Sequence, residues 1–264
     1  MFMEMLNIYR IKLNFQIVFL FFLLNFGNLF SQSFSVNYQC FYDSAFPKVI
    51  PAVLKYSNGV SLFEEKLGEA KDWKESKDDI FAQLGFTNGA VVQVGATDVI
   101  SLFIQRDFNT QKILFTDYVG SKIYEITDFW IPIQWQITQE SKVISNYTCF
   151  KAKTVFRGLV WEVWFTSEIP VSIGPWKLYG LPGLILEATS ENKKYSYIVT
   201  EINFKSDDII IFTSDKYKKI NIKEMVENRK SIRHSLNSHL DRGESSIDLS
   251  NLIETMEPKY EWEE

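Results

Sequence analysis

The chain has 264 residues, with 28 Lys or Arg against 33 Asp or Glu, and a net charge of −5. That balance, with no basic stripe interleaved by aromatics, argues against nucleic acid or an anionic membrane surface as the main partner. No Cys-x-x-Cys occurs and His234 and His239 are the only histidines, so no zinc site can be read, and no motif calls for a cofactor.

The first residues carry Arg10 and Lys12, followed by an apolar run from Leu13 to Phe30. The stretch Phe26-Gly27-Asn28-Leu29-Phe30-Ser31-Gln32 then offers small or polar residues for cleavage. Residues 1–31 read as a signal peptide, which predicts export. An uncleaved anchor is the alternative, because a run of about 18 residues reaches the minimum spanning length. Val36-Asn37-Tyr38-Gln39 before Cys40 does not suit a lipid-modified cysteine. Loss of the leader removes Glu4, Arg10 and Lys12, a net +1, and takes the charge from −5 to about −6. Cys40 and Cys149 could then pair across a long loop in an oxidising compartment, or stay as two buried thiols.

Residues 32–219 read as one β-rich domain. Val53 to Tyr56 and Val60 to Phe63 flank Ser57-Asn58-Gly59, a hairpin whose Asn-Gly supplies a type I′ turn. Residues 68–84 are charge-rich, with Trp73, Ile80, Phe81 and Leu84 near helical intervals, so a short helix or an exposed excursion is expected. Strands resume at 99–104, 112–116 and 122–126, and Ile133 to Thr138 alternates apolar with polar. Cys149 to Phe156 and Leu159 to Thr166 flank Arg157-Gly158 as a second hairpin. Strands at 184–188, 195–204 and 209–213 follow, the first two separated by a turn at 191–194. A helix over 220–241 is capped by Asn221, with Met225, Ile232, Leu236 and Leu240 near one face. Residues 242–264 are expected to be an acidic, flexible tail.

No nucleophile elbow, zincin helix or phosphate loop is present. His234 and His239 are five apart, about 140° around a helix, so they cannot share a ligand. Carboxylates are plentiful, but no motif places a pair as acid and base. Asn146-Tyr147-Thr148 matches a glycosylation sequon by chance spacing, and Asp43-Ser44-Ala45 resembles a short bacterial O-glycosylation signal.

The segment from Tyr147 to Ala188 stands out. Glu168 to Tyr179 is stiffened by Pro170 and Pro175, and Gly180 and Gly183 bracket Pro182 in a tight turn before Leu184-Ile185-Leu186. Gly180-Leu181-Pro182-Gly183-Leu184-Ile185 resembles the signature of the GLPGLI family of exported bacterial proteins. Trp164-Phe165-Thr166-x-Glu168-Ile169-Pro170, Gly174-Pro175-Trp176-x-x-Tyr179 and Tyr147-Thr148-Cys149-x-Lys151-Ala152 are similar to the same family's core. The likeness is dense over about 40 residues and weaker over residues 50–205. It implies an envelope protein of bacteria with an outer membrane, in the periplasm or associated with the outer membrane. It supplies no catalytic residues.

The expected fold is mainly β: a single curved antiparallel sheet, an open half-barrel of roughly eight to eleven strands, with one or two helices. By fold analogy it resembles the lipoprotein-carrier (LolA-like) half-barrel, with a flat two-layer sandwich as the alternative. The function expected is non-enzymatic binding of an apolar, lipid-like ligand or of an outer-membrane protein. Trp135, Trp161, Phe165 and Trp176 are the candidates for lining a cavity, with a packed core as the plainer account. Gly180, Leu181, Pro182, Gly183 and Leu184 are the candidates for docking a partner, with a turn that needs this backbone as the plainer account. A periplasmic hydrolase using unmarked carboxylates is the alternative function.

Overall fold

The computed structural model describes residues 33–43, 47–67, 71–72, 102–120, 122–204, 217–240 and 256–263. The leader at 1–31, Ser44 and Ala45, most of 68–84 and the expected strand 209–213 lie outside these residues. One run of strands holds β1 (Phe34–Tyr42), β2 (Lys48–Ser57), β3 (Val60–Glu65), β4 (Lys71–Asp72), β5 (Leu102–Asp107), β6 (Lys112–Val119) and β7 (Lys122–Asp128). A second holds β8 (Gln136–Ile144), β9 (Tyr147–Phe156), β10 (Leu159–Thr166), β11 (Leu184–Ser190) and β12 (Tyr195–Asn203). β13 (Lys218–Asn221) then runs into the helix α1 (Ile222–Leu240).

All of these strands belong to one open sheet, in the order β13-β7-β6-β5-β3-β2-β1-β12-β11-β10-β9-β8, with β4 beside β2. Each run is an antiparallel meander, and the two join along the β1–β12 seam. β13 pairs with β7 in parallel. The count exceeds the expected eight to eleven because β1, β4 and β13 add to the strands read from sequence.

Connectivity alone forces the sheet to curve. In a flat sheet, β7 and β8 would lie ten strand spacings apart, about 48 Å. The connection from Asp128 to Gln136 reaches at most about 29 Å when fully extended. The two ends of the sheet must therefore curl toward each other, which gives the expected open half-barrel and not a flat sandwich.

The inner face carries a continuous apolar row. Cross-strand pairing joins Val36, Leu54, Phe63, Ile104, Phe115, Ile126 and Ile220 over seven strands, and all seven are buried. Each strand contributes by its period-two alternation, so a slip of one residue would turn its apolar set outward. The hairpin turns match their sequences: Asn58 and Gly59 both have positive φ, as do Arg157 and Gly158. Helix α1 is capped as expected, Asn221 Oδ1 accepting from the Glu224 amide at 2.9 Å. Ile222, Met225 and Val226 are buried, whereas Ile232 is exposed.

Two connections fill much of the interior. Residues 131–135 alternate in burial, but 129–135 make no ladder until Gln136, so the strand expected at 133–138 begins late. Residues 167–183, between β10 and β11, cross the bowl to β5. There Arg106 donates to Gly174 O at 2.8 Å, to Leu178 O at 3.0 Å and to Ser61 Oγ at 3.2 Å. Burial pulls the Arg106 guanidinium down to about 10, and the three hydrogen bonds it donates, with Tyr179 alongside, replace its lost water.

The backbone of this crossing sets its sequence. A Cβ on Gly183 would lie 2.0 Å from the carbonyl oxygen of Thr166, a clash with backbone that cannot move away. Gly183→Ala should therefore lower stability by about 3 kcal/mol or more, read as a shift of the urea midpoint. Pro182→Ala, on an exposed residue of the same turn, should leave the midpoint nearly unchanged.

Candidate functional site

The half of the bowl that the crossings leave unfilled is a cavity of about 750 Å³. Its floor includes Ile50, Phe63, Ile104 and Phe115, inward positions of β2, β3, β5 and β6. Val226 and Arg229 of α1 and Met256 and Tyr260 of the returning chain end cover it, and Trp176 borders one side. Trp176 holds φ at +50°, a conformation costly for a bulky residue, at about 1–3 kcal/mol. Its ring packs against Trp161 at 5.4 Å and Phe156 at 5.8 Å, which holds it there.

Two carboxylates face this space one step along from the apolar row. Glu65 follows Phe63 by two residues on β3, and Asp117 follows Phe115 by two on β6. Asp117 pairs with Arg229 at 2.8 Å. Glu65 accepts a short hydrogen bond from the Tyr42 hydroxyl, and the Tyr197 hydroxyl stands 3.3 Å behind Tyr42. Desolvation pushes the Glu65 carboxyl up to about 7, eased by the Tyr42 bond and reinforced by Asp117. Glu65 nevertheless keeps some accessible surface and borders the cavity. Burial likewise raises Tyr42, Tyr197 and Cys40, so these groups stay protonated.

A buried ionic cluster fastens the ends of the bowl. Asp128, closing β7, pairs through Oδ1 with Arg157 in the β9–β10 turn at 2.8 Å and through Oδ2 with Lys177 at 2.9 Å. Lys177 also donates to Glu257 at 2.8 and 3.0 Å, with its ammonium 3.7 Å from the Phe115 ring centre. Arg157 lies 3.0 Å from Glu261 and 3.5 Å from Glu257, near enough for attraction but off the line of a hydrogen bond. The chain end is thus held in place at 256–263, with Glu257 and Tyr260 buried, where sequence suggested a flexible acidic tail.

The residues singled out from sequence fall in different places. Of the four cavity candidates, Trp176 borders the cavity. Trp161 and Phe165 are packed in the core, and the Trp135 indole N–H is tied to Tyr179 O at 2.8 Å. In the docking candidates, Leu181, Gly183 and Leu184 are buried, and only Gly180 and Pro182 are exposed. Cys40 and Cys149 are both buried free thiols. They sit on β1 and β9, four strand spacings apart, about 19 Å along the sheet, well beyond disulfide reach. Among the described residues no group of three His, Cys, Asp or Glu is placed to hold a metal ion. Glu65, Asp117 and the Asp128 cluster were not foreseen. Glu65 and Asp117 carry a signal, polar residues at inward positions of otherwise apolar strand faces.

The cluster makes a stability prediction with a sign. Burial opposes ionisation of Asp128, but Lys177 and Arg157 outweigh it and hold the carboxyl below its usual range. Its contribution is therefore present above the ordinary Asp value and lost as pH falls below about 4. Asp128→Asn removes the carboxylate that Arg157 and Lys177 share, leaving them only Glu257 and Glu261, and should cost about 3 kcal/mol at pH 7 by urea unfolding, a deficit that narrows below pH 4. Lys153→Met, on an exposed pair with Glu162, should change little.

A family model described as "N-glycanase peptide, N-terminal domain" matches residues 131–229, less than half of the chain. Two solved structures of PNGF-II are similar. In the P21 form the identity is 14% and the TM-score 0.51, covering 76% of this chain and 33% of that one. In the C2 form the identity is 16% and the TM-score 0.49, with the same coverage. No curated protein matches. The chain spans about a third of the length of the PNGF-II chains, and what it shares with them is the fold.

Proposed function

We propose that this chain is an exported binding module without catalysis of its own, whose bowl takes an apolar, lipid-like ligand in the bacterial envelope. The observation that carries this reading is the cavity of about 750 Å³ over an apolar floor, with the desolvated carboxyl of Glu65 in its wall. A space of this size and lining suits a small molecule largely withdrawn from water. The leader at 1–31 and the GLPGLI resemblance support export, to the periplasm or the outer membrane. A role in docking an outer-membrane protein would need a surface other than Gly180 to Leu184, since Leu181 and Leu184 are buried.

The test is titration with a neutral naphthylamine dye. Saturable one-to-one binding with blue-shifted emission is expected, weakened at least tenfold in Ile104→Trp, which fills the floor. No saturable binding to the folded protein would overturn the reading.

The family match favours a second reading, a role in removing glycans from proteins. The matched model describes an N-terminal domain, which suits a module accompanying chemistry done elsewhere. Glu65 and Asp117 are the carboxylates this chain could offer, on strands about 10 Å apart. Release of N-glycans from a denatured glycoprotein by the full chain, lost in Glu65→Gln, would favour hydrolysis over binding.

A further inference from the structure

We infer that the ligand carries an ammonium group on its apolar body, and that Glu65 with the aromatic rings around it receives that group. This rests on the cavity being a ligand site. Glu65 has Tyr42 as its hydrogen-bond partner, and among the described residues no cation is paired with it. The groups facing it are acidic or neutral: Cys40 and Tyr42 on β1, Tyr197 on β12 and Asp117 on β6. Three of the four cations bordering the cavity are engaged by other carboxylates, Lys177 by Asp128 and Glu257, Arg229 by Asp117 and Lys230 by Glu263, and the fourth, Lys48, is partly exposed at the start of β2. Among the described residues, Glu65 is thus the cavity carboxylate with no cation paired to it.

The walls suit a cation. Tyr42, Phe63, Tyr195 and Trp176 all border the cavity. Tyr42 meets Tyr195 edge-on at 5.9 Å and Tyr197 at 6.2 Å, and Phe63 meets Tyr197 at 6.1 Å. Aromatic faces attract ammonium groups, most strongly when the charge is desolvated. A carboxylate set among such rings combines charge neutralisation with cation–π attraction, while the apolar row accepts a hydrocarbon chain. An anionic head would meet Glu65 and Asp117 with like charge. It would have to turn instead to Lys48, partly exposed at the first position of β2.

The experiment is calorimetry with three ten-carbon probes below their micellar concentrations: decyltrimethylammonium, decanol and decyl sulfate. Full-length protein is compared with Glu65→Gln and Lys48→Met, and circular dichroism verifies each fold. The ammonium probe should bind at least tenfold tighter than decanol at pH 8. Glu65→Gln should abolish that preference and leave decanol binding unchanged. In the unaltered protein, ammonium affinity should fall by up to roughly tenfold from pH 8 to pH 6, the change in ionised fraction of a carboxyl titrating at about 7, with proton release on binding. Equal binding of decanol and the ammonium probe, indifferent to Glu65→Gln and to pH, overturns the ammonium inference and leaves the cavity reading intact. A preference for decyl sulfate that Lys48→Met removes overturns it in favour of an anionic ligand. Failure of all three probes to bind overturns the cavity reading as well.

Discussion

The contact between Asp128 and Arg157 fastens the curl that connectivity imposes on the sheet, and the interior depends on that curl being held. Asp128 ends a strand near one margin of the sheet, and Arg157 turns between two strands near the other. Their ion pair, sealed by Lys177 and Glu257, holds a twelve-strand path curled without a ladder of backbone hydrogen bonds to close it. Burying four charges is costly, and each must be answered by a partner at hydrogen-bond distance. That requirement also explains why the chain end returns to the bowl. Without Glu257 and Glu261, Lys177 and Arg157 would share one buried carboxylate.

Curvature gives the sheet an interior, and the two long connections divide it. Arg106 reaches across to the carbonyls of Gly174 and Leu178 and so fixes the crossing at 167–183 against β5. The crossing packs Trp161, Trp176 and Tyr197 into a solid core on its side. On the other side, α1 and residues 256–263 border a floor that the described residues leave unfilled. Glu65 belongs to this second half. A carboxyl is costly at a packed core position, and Glu65 instead borders the cavity with Tyr42 as its hydrogen-bond donor.

Much of the architecture was legible because strands announce themselves by alternation and hairpins by turn residues. β10 was read to the residue, and Asn58-Gly59 and Arg157-Gly158 were read as turns. β1 alternates just as clearly at Phe34, Val36, Tyr38 and Cys40, although it follows directly on the apolar leader. Ile133 to Trp135 shows the limit of the method: period two reports an extended chain with one covered face, whether the cover is a ladder partner or a loop. The glycines of residues 180–185 were expected to serve either backbone or partner, and Gly183 against Thr166 O favours backbone. The site was harder to read. Trp161 and Trp176 share a composition and a neighbourhood, and only packing decides that one borders a cavity while the other is core. Nothing local in sequence could pair Asp128 with Arg157, because their meeting follows from the curvature of the whole sheet.

The central claim is that the bowl holds a small apolar molecule in its working state. Mass spectrometry of the mature protein purified from its own envelope, first native and then denatured, tests it most directly. The account predicts one small molecule bound per chain in the native spectrum, released on denaturation and amphipathic in composition. A native mass equal to that of the bare polypeptide, from protein handled without detergent or organic solvent, would contradict it.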